Sequence, residues 1–174
     1  MTYDTMATDV VILTEAALTD ADVRHICDLY EPADPPVGKF HVLVARDPQP
    51  RLAVALLDAV GAADISLAFD EATGYGKPDP LTAQVDANDH LATSVSLLHT
   101  AGVQADGLVV DTPVEGLKDF VAARTGKLGA IREVVVVTWP HMVEDVFNTD
   151  WASKARTLLG LPVLHLYAGT SELG

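Results

Sequence analysis

The chain has 174 residues, 49% of them hydrophobic, which suits one folded domain with a real core and argues against disorder. Its 25 acids against 11 Lys and Arg give a formal net charge of −14, which argues against nucleic acid and anionic membrane surfaces, since both demand a basic footprint. Cys27 is the single cysteine, so no intrachain disulfide can form; no apolar run approaches the roughly 18 residues of a membrane span, and the first residues lack the basic and apolar regions of a secretion signal, so the expected compartment is the cytoplasm.

Asp9 to Glu15 is a short apolar run and reads as the first strand. A helix follows: Thr19 and Asp22 are spaced as a capping pair, and Val23, Ile26 and Tyr30 fall on one face. Pro32, Pro35, Pro36 and Gly38 make a loop before the second strand, Phe40 to Ala45. Between residues 46 and 80 the pattern weakens. Arg51 to Val60 can form a helix, Gly61 breaks it, and "GYGKPDP" is a turn, so this stretch reads as a helical elaboration of the domain. Leu81 to Thr100 reads as a longer helix with Leu81, Val85, Ala92, Val95 and Leu98 inward, ended by Gly102.

Val103 to Asp111 is the third strand, although Gly107 interrupts it. Thr112, Pro113 and Glu115 then form a T-x-x-E start to a helix running to Gly126, with Val114, Leu117 and Val121 as its inner stripe. Ile131 to Thr138 is a nearly continuous β-branched run, suited to a strand buried on both faces. Ala152, Ala155, Leu158 and Leu159 recur at helical spacing, Gly160 and Pro162 stop that helix, and Val163 to Tyr167 return to strand chemistry. The alternation predicts a single α/β domain over residues 1–174: a five-stranded parallel sheet, doubly wound in the order 3-2-1-4-5, with helices on both faces and a switch point between the first and fourth strands.

Ligands of such sheets sit beyond the carboxyl ends of the strands. The residues there are Thr14 and Glu15 after the first strand, Asp111 after the third, and Thr138 and His141 after the fourth; these five are the expected binding residues. Glu15 and His141 would flank the switch point, where a carboxylate beside an imidazole can form an acid–base pair. The plainer alternative makes Asp111 a partner for a helix start and His141 a solvated loop residue. Other chemistries find little support. No phosphate-loop or dinucleotide fingerprint occurs, and no G-x-S-x-G elbow. His141 with Asp145, and Asp86 with Asp89 and His90, do not supply three metal ligands in one segment, so no metal is expected. Serines such as Ser94 lie in predicted helices and read as solvated or capping. Cys27 reads as a small, half-buried apolar residue, and His41 and His165 as satisfied strand residues.

These segments resemble the universal stress proteins. "VVILTE" with "FHVLVA", "VQADGLVVDTPVEGLKDFV", and "VVVVTWP" with "DWASKARTLLGLPVLHL" are similar to that family's first two strands, its third strand and capped helix, and its closing strand–helix–strand. The resemblance covers the chain outside residues 46–80. It implies a nucleotide-binding-type α/β fold, a role in stress response, and a homodimer formed through the terminal strand. ATP-binding members carry a glycine-rich loop after the fourth strand, where backbone N–H groups cradle phosphate. Here that loop begins "TWPHMVEDVFNTDW": it has no glycine, Pro140 offers no N–H, and Glu144, Asp145 and Asp150 would repel a triphosphate. The expectation is therefore a non-enzymatic binding or regulatory protein with no cofactor and no conventional ATP binding. A nucleotide-binding stress protein, or a small α/β hydrolase- or transferase-type enzyme using Glu15 and His141, is the alternative.

Overall fold

The computed structural model describes residues 7–33, 35–46, 80–125, 130–138 and 156–170. Its elements run β1 (Thr8–Thr14), α1 (Asp20–Tyr30), β2 (Val37–Ala45), α2 (Pro80–Thr100), β3 (Ala105–Val110), α3 (Pro113–Ala122), β4 (Ile131–Thr138), a helical turn at 156–159, and β5 (Val163–Tyr167). The helix expected at 51–60, the turn at 74–80 except its last residue, Pro80, which begins α2, the loop 139–150 with Trp139 and His141, and the first part of the last helix with Trp151 lie outside the described residues.

The sheet has the order β3-β2-β1-β4-β5 and every pairing is parallel. This is the doubly wound order expected from the alternation. β1 pairs with β2 on one side and β4 on the other, so the switch point falls between β1 and β4. β-branched and leucine side chains alternate to the two faces of β1, β2 and β4, and each face builds its own core. On one face Val11, Leu13, Leu43, Val134 and Val136 pack against Val114, Leu117 and Phe120 of α3. On the other, Val10, Ile12, Val42, Val44 and Val135 pack against Val23 and Ile26 of α1 and Ala87 and Leu98 of α2.

α1 starts as its sequence promises. Thr19 and Asp22 form a reciprocal capping box, with Thr19 N 2.7 Å from Asp22 Oδ2 and Asp22 N 3.2 Å from Thr19 Oγ1. α3 does not: Thr112 is its N-cap residue and Pro113 follows, but the Thr112 side chain makes no capping bond, and the helix ends at Ala122 rather than at Gly126. Pro113 directly after the N-cap fits there because its missing N–H would have had no partner within the helix.

The inner face of α2 also differs from the periodic reading. Leu81 and Val85 are 77% and 57% exposed and Ala92 is exposed, and Ala83, Ala87 and Ser94 are buried in their place, while Leu98 and Val95 pack on the core as expected. Small residues decide the face, because alanine lets the helix lie close to β2 and β3. Gly107 allows the same approach from below. A Cβ at Gly107 would collide with the Val42 carbonyl oxygen and crowd Leu91 of α2. Ser94 is fully buried, neither solvated nor capping. Its hydroxyl donates to His90 O at 2.7 Å and accepts Leu18 N at 2.9 Å, tying α2 to the β1–α1 connection. Among the described residues no helix is long and apolar enough to cross a membrane.

Candidate functional site

The five expected residues converge on the carboxyl edge of the sheet as far as the structure describes them. Thr14 ends β1, Glu15 follows it in the turn, Thr138 ends β4, and Asp111 follows β3. His141 lies outside the described residues, so the pairing of Glu15 with an imidazole has no geometric counterpart here.

Thr14, Thr138 and Asp111 are each held by a neighbour. Thr14 Oγ1 donates to Ala16 O at 2.9 Å and accepts Ala16 N at 3.3 Å, which folds the chain sharply as it leaves β1. Thr138 is buried, its Oγ1 2.7 Å from His165 Nε2, and its carbonyl accepts Ala168 N at 2.7 Å. These bonds join the ends of β4 and β5. His165 is itself buried beside the edge of Tyr167, and desolvation depresses its imidazole to about 4, so it is neutral at physiological pH. Asp111 does not cap α3. It pairs with Arg46, the residue after β2, at 2.8 Å, and Arg46 N donates to Val110 O at 2.8 Å. Arg46 was not among the expected site residues, and its Nε is buried without a partner. Its place one residue beyond an apolar strand, at the edge where ligands bind, was the signal available in the sequence.

A second polar cluster lies at the amino edge of the sheet, beneath α3. His41 is 3% exposed, and its two ring nitrogens face two carboxylates: Nε2 is 2.9 Å from Asp9 Oδ2 and Nδ1 is 2.5 Å from Asp106 Oδ1. Lys39 Nζ completes the group at 3.0 Å from Asp106 Oδ2. A ring with carboxylate oxygens at both nitrogens is satisfied at both only as the imidazolium. Burial pushes the Asp106 carboxyl up, but hydrogen bonds and positive charge from His41 and Lys39 outweigh it and hold the group below the usual aspartate value. Phe120 of α3 meets the His41 ring edge-on at 5.1 Å, and the Arg124 guanidinium stands 3.6 Å over Phe120. His41 is thus the satisfied strand residue expected, with both ring nitrogens engaged by carboxylate oxygens. Among the described residues no group of three ligand-type side chains could hold a metal ion.

No family model matches the chain, and no curated protein sequence matches it. Among solved structures, the fold is similar to a universal stress protein from Archaeoglobus fulgidus, with 13% identity over 91% of this chain and 93% of that one, and a TM-score of 0.49.

Proposed function

We propose that the chain is a non-enzymatic binding or regulatory module of the universal-stress-protein type that uses the carboxyl edge of its sheet without conventional ATP binding. One observation carries the reading. At that edge the side chains of Thr14, Thr138 and Asp111 are engaged: Thr14 with its own turn, Thr138 with a neutral His165, and Asp111 with Arg46. Such an edge can present a shaped, polar surface to a ligand. The sequence of residues 139–150 supports the same reading, since it holds three acids, no glycine and no Lys or Arg. The edge position of β5 supports pairing of two copies through that strand. Light scattering of the purified protein tests this, and a monomer at all concentrations would remove it.

A nucleotide-binding reading draws on one feature, Arg46, a cation at the carboxyl edge with a buried, unpartnered Nε. One experiment separates the two. Thermal denaturation with ATP, ADP and AMP, with and without magnesium, is expected to leave the melting temperature unchanged. A magnesium-dependent rise with ATP that Arg46→Ala abolishes would replace the first reading with the second.

A further inference from the structure

The amino side of the sheet holds a separate opening. A crevice of about 370 Å³ lies where the carboxyl ends of α1 and α2 meet the start of β2, within the size range of small-ligand sites. Its floor is apolar. Phe40 is buried at the base, Tyr30 stands edge-on to it with ring centroids 5.6 Å apart, and Val37, Val103 and the half-buried Cys27 fill the walls. Its rim is acidic: Asp28 and Glu31 both line it and both are exposed, while no lining residue is basic.

The backbone adds to this polarity. The last turn of α1 carries no basic residue, so the negative end of its dipole is uncompensated by its own side chains, and Glu31 is its C-cap residue. The Cys27 thiol reports the same field, since burial and the charge of Asp28 raise it above its ordinary value. A net charge of −14 draws cations toward the molecule as a whole, and the crevice is where that charge borders an aromatic pocket.

We propose that this crevice is a binding site for an organic cation: a primary or quaternary amine on a compact apolar or aromatic body. The body would rest on Tyr30, Phe40 and Val103, and the ammonium would lie between Asp28, Glu31 and the end of α1. Aromatic faces and carboxylates both favour a cation, and the apolar floor excludes simple metal ions, which would keep their water. The site is remote from the carboxyl edge and stands whether or not that edge binds a ligand.

The test uses the intact chain and phenethylammonium as the probe, followed by amide chemical shifts at neutral pH. Saturable shifts are expected at Cys27, Val37, Phe40 and Val103. The uncharged analogue 2-phenylethanol, and the variant carrying Asp28→Asn with Glu31→Gln, should each weaken binding at least about fivefold, the scale of one lost charge contact beside an aromatic ring. Ala101→Trp, at an exposed rim position, should close the crevice and abolish the shifts. Absence of shifts at these four amides overturns the proposal. So does equal binding of the alcohol or equal binding by the charge-neutral variant. Unchanged binding by Ala101→Trp also overturns it, because the probe would then be gathered by diffuse negative charge alone.

Discussion

His41 and Asp106 link the amino ends of two neighbouring strands through a 2.5 Å contact between imidazole and carboxylate, and the far side of the same ring reaches Asp9 on a third strand. One buried side chain thus ties β1, β2 and β3 together where backbone pairing of β1 is irregular, between Thr8 and Val10. Removing the ring leaves the buried Asp9 carboxylate with no cation beside it. His41→Ala is expected to cost about 3 kcal/mol, the scale for breaking a buried ion pair from one side, whereas Lys39→Ala should cost under about 1 kcal/mol because that pair is half-exposed. Urea denaturation of both variants checks this, and equal effects would show that His41 is held by packing alone.

Asp106 carries an acid signature. Its carboxyl is held below the ordinary aspartate value in the fold, so its contribution is complete above that ordinary value and is lost as pH falls through the lowered one. Denaturation midpoints measured from about pH 5 down to about pH 3 should fall less steeply in Asp106→Asn than in the parent. Parallel curves would refute the assignment.

His165 acts in the same direction at a higher pH. The folded protein keeps it neutral down to about 4, while the unfolded chain protonates it near 6.5. Between those values the unfolded state binds the extra proton, so stability decreases as pH falls through that window, by on the order of 3 kcal/mol in full. The paired variant Thr138→Val with His165→Leu removes both polar partners together and should flatten this part of the curve. A slope that persists unchanged would assign it to another group.

Asp22 joins the start of α1 to the far end of the sheet. It is buried; one oxygen accepts from Thr19 N at 2.7 Å and Thr19 Oγ1 at 2.8 Å, and the other accepts Gly169 N at 2.7 Å. Asp22→Ala is expected to lower stability by about 3 kcal/mol, combining the lost Asp22 half of the capping box with a lost charge-assisted bond to Gly169. Hydrogen exchange at the Gly169 amide should accelerate at the same time. Loss of stability with Gly169 still protected would mean that the cap alone matters.

Strand identity and order could be read because β1, β2, β4 and β5 are β-branched or leucine runs bounded by turn residues, and the crossovers allow few topologies. Gly107 weakened β3 in the sequence for the same reason that β3 needs it: only a residue without Cβ lets the strand approach Val42 and α2. Val95 and Leu98 of α2 were placed rightly, but the first half of its face differs, because periodicity counts Leu81 and Val85 as core while Ala83 and Ala87 are the buried residues there. Hydrophobicity and packing distance point to different faces there, and only the second depends on tertiary context. The carboxyl-edge residues could be named from strand ends. Their partners could not, since Arg46 with Asp111 and Thr138 with His165 are brought together by strand order. The Asp9–His41–Asp106 group needed the register as well, for its members become neighbours only when His41 aligns with Val11 and Asp106.

The position of β1 has a consequence for biosynthesis. Its two flanking strands come from residues 37–45 and 131–138, nearly a hundred residues apart in the order of translation. A nascent chain that has released β1, α1 and β2 from the ribosome still exposes one edge of β1, which the finished fold buries almost completely, and Asp22 still lacks the amide of Gly169. Closure therefore waits until β4 and the Gly169 segment have both emerged. Stalled nascent chains ending before β4 should be cut readily by protease, and resistance should appear only once Gly169 has cleared the exit tunnel.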